Sequence, residues 1–247
     1  GVGPSSSHTV GPMCAAQAFA SSLEESGAVS RVGRIRVVLY GALSLTGLGH
    51  GTDRAILAGL EGNVPATVDT DYLLSVRERC AHDGTIHVNG TNAIAYDDDG
   101  DMVFNRWKRL APHPNGMRFQ AFDAQGNIID EQVWYSIGGG FIRRGRIDDA
   151  LISNHEQTPA SSQPPKDSGN DETAEYGDGV PYPFVSCDGL IDLCRKHHLS
   201  IADVVWANET ARRSPQEVRD RLTRIWNVMS HCIDAGCASA TPTLPGG

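Results

Sequence analysis

The chain reads as an α/β (α+β) N-terminal domain followed by the start of an all-α domain. Three observations predict this. An Ala-rich helical run is followed by a β-branched run and then a second helical run within the first 60 residues. Short strand-like segments separated by turn residues occupy residues 85–137. Beyond Pro183 the patterns are helical only. At 247 residues and 40% hydrophobic, the chain is long enough to bury one good core and a second, smaller one. Thr-Pro, Ser-Ser, Pro-Pro and acidic clusters interrupt the apolar periodicity between the strands and the last helices. The expected organisation is therefore an α/β domain over 1–142, a mobile acidic linker over 143–180, and a truncated helical domain over 181–247.

In chain order, Cys14 to Leu23 forms the first helix, with Ala, Gln and Leu as good helix formers. Arg34 to Leu45 is β-branched and apolar, as in a strand, and Thr46 to His50 is a Gly-rich turn. Thr52 to Leu60 has Ala55, Ile56, Leu57 and Leu60 at helical spacing, with Thr52 or Asp53 as its cap, and Ala66 to Val68 is strand-like. Ile86 to Gly90 and Ala93 to Tyr96 are strands, and Met117 to Phe122 pairs with Ile128 to Ile137 across Asp123 to Asn127. Asp97 to Asp101 reads as a solvated hairpin tip, since it lacks the ligand alternation and distal Glu of a calcium loop. The last helices are Cys187 to His197, Ser200 to Thr210 and Pro215 to Ala235, with Ser200 and Ser214 as caps. Leu222, Ile225, Trp226, Met229 and Ile233 form a stripe expected to be buried core.

A net charge of −9 argues against a nucleic-acid surface. No apolar run reaches the ~18 residues of a membrane span, and the start lacks a signal-peptide pattern. A cytoplasmic location is expected. Cys14, Cys80, Cys187, Cys194, Cys232 and Cys237 form no C-x-x-C pair, so they read as reduced thiols and none is assigned as a metal ligand. Gly138-Gly139-Gly140 lacks G-x-G-x-x-G spacing, which argues against a dinucleotide site.

The segment Gly3-Pro4-Ser5-Ser6-Ser7-His8-Thr9-Val10-Gly11-Pro12-Met13 concentrates hydroxyls and an imidazole just before a helix. Ser/Thr hydroxyls and free N–H groups at a helix N-terminus suit a carboxylate or phosphate, and His8 titrates near neutral pH. A second polar group is His50 with Thr52 and Asp53, in which an Asp–His pair would fix a tautomer while Asp53 also suits a helix cap. In His113-Pro114-Asn115-Gly116-Met117, His113 and Asn115 either join the same pocket or form an Asn-Gly turn.

The Gly-Pro-Ser-Ser-Ser-His-Thr opening resembles that of the iron–sulphur L-serine dehydratases, bacterial ammonia-lyases that use no pyridoxal phosphate. Further blocks agree in order: Tyr40 to Gly47, Gly49 to Asp53, Pro65 to Asp69, His113 to Met117, Tyr135 to Phe141, Pro181 to Phe184 and Leu244 to Gly246. The resemblance spans nearly the whole chain. It implies loss of water from L-serine to give an aminoacrylate, then pyruvate and ammonia, with a [4Fe–4S] cluster as Lewis acid on the hydroxyl. Single-chain members of this family are about twice as long, consistent with a second domain, and hold their cluster cysteines in the second half. The chain is therefore expected to be a fragment, inactive alone, of a homo-oligomeric enzyme. The resemblance makes His8 the catalytic candidate, in proton transfer or in orienting the substrate. Ser5, Ser6, Ser7, Thr9, Gly11, His50, Thr52, Asp53, His113 and Asn115 become substrate-binding candidates, the serine loop holding the carboxylate. A serine-binding regulatory module and the β subunit of a two-chain enzyme remain alternatives.

Overall fold

A computed structural model describes residues 2–154 and 179–238. The chain divides into two compact units, Gly1–Pro159 and Ala160–Gly247. The first unit is built on β1 (Arg34–Tyr40), whose Ile35, Val37 and Leu39 are buried while Arg34 and Arg36 are exposed. That alternation fits a pleated strand, and towards its end the other face is covered as well, Val38 and Tyr40 packing with Leu110, Val133 and Tyr135. β1 pairs antiparallel with β6 (Gly116–Phe122), β6 with β7 (Ile128–Gly138), and β7 with β8 (Phe141–Arg144). On its other side β1 runs parallel to β4 (Met102–Asn105) and meets β3 (Asn92–Ala95) at Arg34, and β2 (Thr85–Val88) closes that edge. β5 (Lys108–Leu110) and β9 (Leu151–Ser153) form a separate pair.

Helices α1 (Gly11–Glu25), α3 (Thr52–Leu60) and α4 (Thr70–Asp83) supply Phe19, Leu23, Ile56, Leu60, Val76 and Cys80 to the main core with the odd-numbered face of β1. Phe19 stacks on Phe119 at 5.3 Å between ring centroids, so α1 lies against β6. Each such fully buried side chain contributes about 1.5–3 kcal/mol.

The strand expected to run to Leu45 stops at Tyr40, and Gly41–Thr46 is a short helix, α2. Gly41 has φ +57°, and a Cβ there would overlap the Pro114 carbonyl, so the chain turns where the apolar pattern runs on. Ala66 to Val68 is not a strand, because the N–H groups of Thr67 and Val68 bond back to the Val64 carbonyl. Thr52 and Asp53 lie inside α3, whose capping position is Gly51. Asp97 to Asp101 is not a solvated tip. Asp98–Asp101 is one helical turn, α5, in which Asp101 is buried against Arg34 at 2.5 Å and Asp98 binds Arg77 at 2.8 Å. The arginines neutralise what composition alone shows only as an acidic run. Residues 143–154, expected to open the linker, contain the end of β8 and all of β9, whereas 155–178 lie outside the described residues.

In the second unit, α6 (Cys187–His197), α7 (Ile201–Thr210) and α8 (Pro215–Ala238) match the expected helices. Ser200 forms a reciprocal capping box with Asp203, and the Ser214 hydroxyl accepts from Glu217 N–H. Asn208 and Tyr182 exchange two hydrogen bonds, which fastens the Pro181 to Phe184 segment to α7. The stripe on α8 is not core: Trp226 is 60% exposed and Ile233 57%. Helical spacing defines an apolar face but not what covers it. The Leu244 to Gly246 block lies outside the described residues.

Asp53 is buried and ion-paired with Arg77, which also binds Asp98. Arg77→Leu should cost about 3–5 kcal/mol in urea denaturation, because it strands a buried carboxylate. Arg146→Ala, at the exposed Arg146–Asp148 pair, should leave the curve unchanged.

Candidate active site

The hydroxyl-rich segment forms a widened helical turn, Ser6–Val10, that runs directly into α1. Ser5 caps it, its hydroxyl accepting the His8 N–H at 3.1 Å, while Val10 N–H and Thr9 N–H both reach the Ser5 carbonyl. Two contacts from the chain around α3 clamp it. The Thr52 hydroxyl donates to the His8 carbonyl, and the Thr9 hydroxyl donates to the His50 carbonyl at 2.8 Å. Thr9 and Thr52 are buried, so both serve as framework. Ser6 is exposed, and the N–H groups of Ser6 and Ser7 open the turn with no carbonyl one turn behind them.

The His8 and His50 rings lie 4.9 Å apart between centroids. Burial pulls the His8 pKa below 6.5, the facing His50 pulls it further, and the Ala42 carbonyl acts against both, so His8 is neutral at pH 7. His8 Nδ1 is 2.9 Å from Ser7 Oγ, while its Nε2 is buried with no hydrogen-bond partner among the described residues. His50 Nδ1 is 2.9 Å from the Thr46 carbonyl. A carbonyl only accepts, so this nitrogen carries the proton.

A third polar segment closes on the turn from β6 and β7. Asn115 accepts the Ser136 N–H at 3.0 Å and donates from its side chain to the Ser136 carbonyl at 3.2 Å. Asn115 N–H donates to His113 Nδ1 at 3.1 Å, which places the proton of neutral His113 on Nε2. Burial, then the Arg143 charge, lowers the His113 pKa. Ser136 is fully buried, with its hydroxyl unpartnered among the described residues, and it packs against Gly11 so closely that a Cβ there would overlap Ser136 Oγ. The Pro114 carbonyl accepts from Ala42 N–H at 2.9 Å. Gly138-Gly139-Gly140 makes the β7–β8 turn, and Gly140 abuts Val10.

The structure thus gathers Ser5, Ser6, Ser7, His8, Thr9, Gly11, His50 and Thr52 around one turn, which Asn115 adjoins through Ser136 and His113 through Asn115. Asp53 is directed elsewhere: successive helical residues point about 100° apart, so Thr52 meets His8 while Asp53 meets Arg77. No Asp53–His50 pair forms. Gly11 N–H is bonded to the Ser6 carbonyl, so Gly11 contributes its missing side chain rather than a donor. Ser136 was not among the expected residues. Its sequence signals are a hydroxyl in an apolar strand just before three glycines and its place in the Tyr135 to Phe141 block, neither of which assigns it a role.

The described side chains do not fit an iron–sulphur cluster. No three of His, Cys, Asp or Glu converge among the described residues to hold a metal. Cys80 is buried, mainly by that burial pushed up to about 11, which disfavours the thiolate a cluster requires.

Residues 1–146 match the family described as serine dehydratase beta chain. The chain belongs to that family. It is 40% identical over 247 residues to an L-serine dehydratase of Streptomyces coelicolor, covering 100% of this chain and 50% of that protein. It is 36% identical over 250 residues to L-serine dehydratase 1 of Escherichia coli, covering 100% of this chain and 49% of that protein. With the enzyme of Haemophilus influenzae it shares 33% over 237 residues, covering 96% of this chain and 47% of that protein. The chain spans about half the length of the curated relatives it matches.

The Gly11–Ser136 contact gives a steric test of the site. Gly11→Ala should destabilise the chain by about 1–3 kcal/mol through overpacking, and Ser136→Gly in the same chain should restore most of that loss. Thermal melts of the single and double variants check this. Equal melting points for wild type and Gly11→Ala would refute it.

Proposed function

We propose that this chain forms the substrate-binding part of an L-serine dehydratase, a lyase that removes water from L-serine without pyridoxal phosphate. The observation that carries the reading is the half-buried His8, its Nε2 buried and unpartnered among the described residues, set among hydroxyl and N–H donors in a chain of this family. The exposed Ser6 hydroxyl and the Ser6 and Ser7 N–H groups hold the substrate carboxylate at the positive end of the turn that continues into α1. His8 Nε2 takes the α-proton. Loss of that proton and of the β-hydroxyl as water leaves aminoacrylate, whose imine tautomer adds water to give pyruvate and ammonia. His113 and Asn115 line the opposite wall and orient the substrate.

The [4Fe–4S] cluster of the resembling enzymes would supply Lewis acidity at the leaving hydroxyl. Its cysteines, on this reading, belong to the half of the relatives' length that this chain does not match. The relatives align through α6–α8 as one polypeptide, which favours a single-chain enzyme over a separate β subunit. A cytoplasmic location fits that chemistry. No helix among the described residues is long and apolar enough to cross a membrane.

The test is turnover by a full-length enzyme carrying this chain. A base must be neutral, and His8 is neutral above a pKa lying below 6.5. Log kcat/KM should therefore be flat around neutral pH and fall only as pH drops through the lowered His8 value. His8→Asn should lower kcat about 10²–10⁴-fold at unchanged cluster content. Near-normal turnover in His8→Asn would remove His8 from the chemistry. Serine binding without pyruvate release would instead indicate a regulatory module. Separately, Ser6→Ala should raise KM for serine about tenfold or more, as one charge-assisted hydrogen bond of roughly 1.5–3 kcal/mol is lost, with kcat little changed.

A further inference from the structure

The three serines of the turn have the same side chain but different neighbours. Ser5 Oγ accepts the His8 N–H at 3.1 Å, Ser6 is exposed, and Ser7 Oγ lies 2.9 Å from His8 Nδ1 and 3.4 Å from Ser5 Oγ. We propose that the Ser7 hydroxyl positions His8 rather than binding the carboxylate, a role left to the Ser6 hydroxyl and the backbone N–H groups: it accepts the Nδ1–H of His8, fixing one tautomer and dedicating Nε2 to the substrate's proton. The inference rests on the dehydratase reading, which requires a bare Nε2, while the tautomer itself is read without turnover.

A serine hydroxyl has one proton to give. If His8 Nδ1–H donates to Ser7 Oγ, the Ser7 proton has Ser5 Oγ, 3.4 Å away, as a partner within the turn. If Ser7 donates to Nδ1 instead, it has no proton left for a carboxylate. Only the first leaves Nε2 with the lone pair that a base requires.

The surroundings hold this arrangement in place. The His8 backbone is fixed at its N–H by Ser5 and at its carbonyl by Thr52, so the ring can reorient only about its own side-chain bonds. His50 is the titratable group facing the ring, and its Nδ1 is committed to the Thr46 carbonyl. It is not available to bind His8 Nδ1 in place of Ser7. Without the Ser7 hydroxyl, Nδ1 loses its partner and the neutral ring exchanges its proton between both nitrogens. The Ala42 carbonyl favours the charged form of the ring.

The experiment reads the ring nitrogens of His8 by ¹⁵N NMR on this chain above pH 6.5, with His8→Asn assigning the signals. In wild type Nδ1 should appear protonated and Nε2 bare. In Ser7→Ala both shifts should move toward the tautomer average, and Ser7→Thr, which keeps the hydroxyl, should restore them. A wild-type ring protonated on Nε2, or shifts unchanged in Ser7→Ala, overturns the proposal. In a full-length enzyme Ser7→Ala should lower kcat about 10²-fold, as expected for a mispositioned catalytic group, with the acid limb of the pH profile displaced and KM little affected. A loss confined to KM would return Ser7 to the carboxylate ligands. The ring shifts need no turnover, so an enzyme inactive on serine would defeat the dehydratase reading while the tautomer still decides the role of Ser7.

Discussion

The shape of the Ser6–Val10 turn governs everything the site can do, and it is held mainly from outside itself. A widened turn is uncommon and poorly self-supporting, and here the Thr52 and Thr9 hydroxyls tie it to the chain around α3. On its other side Ser136 presses against Gly11, where a side chain would not fit. α3 and β7 therefore act together on one short segment. A shift of either would move His8, although neither element supplies the reacting group.

α3 is itself anchored by buried charge. Glu61, which follows its last turn, binds Arg79 at 2.5 Å, the Tyr72 hydroxyl, and the His87 N–H at 2.9 Å. Burial pushes the Glu61 carboxyl up, but these three donors together outweigh it and hold the group below the ordinary carboxylate range. Its contribution to stability is thus complete above that range and is lost as pH falls through the lowered value. At the other end of α3, Asp53 and Arg77 join the helix to α4. The two ends are fixed by different charge clusters, so Thr52 reaches His8 from a rigid support.

Much of the fold was legible because its longer elements carry strong periodic patterns and caps. α1, α3, the β6–β7 hairpin and α6–α8 follow from them. Helix α4 was missed because Leu73, Val76 and Cys80 alone make its buried stripe. β4, β5, β8 and β9 span three or four residues each and exist through their pairing partners, which no local pattern encodes. In the site, the Ser5 to Thr9 run marked the polar turn, but the separate neighbours of Ser5, Ser6 and Ser7 depend on backbone geometry. Thr52 and Asp53 were equally ambiguous until the helix assigned them opposite directions. Ser136 was hidden because a single hydroxyl within a strand has no distinctive spacing.

The electrostatics of the whole chain bear on how an acidic protein could offer the proposed carboxylate site. Net charge is −9, which disfavours an anionic ligand at long range, although screening limits this to about 8–10 Å at physiological salt. Locally, the buried acids are occupied by arginines away from the turn: Asp53 and Asp98 by Arg77, Glu61 by Arg79, and Asp101 by Arg34. The turn itself presents hydroxyls, N–H groups and two histidines, and His8 is kept neutral by burial and by its neighbour. On the proposed reading, the attraction of the turn for a carboxylate comes from oriented dipoles. A cation beside His8 would lower its pKa still further and weaken it as a base, whereas neutral donors bind the anion at less cost to the basicity of Nε2.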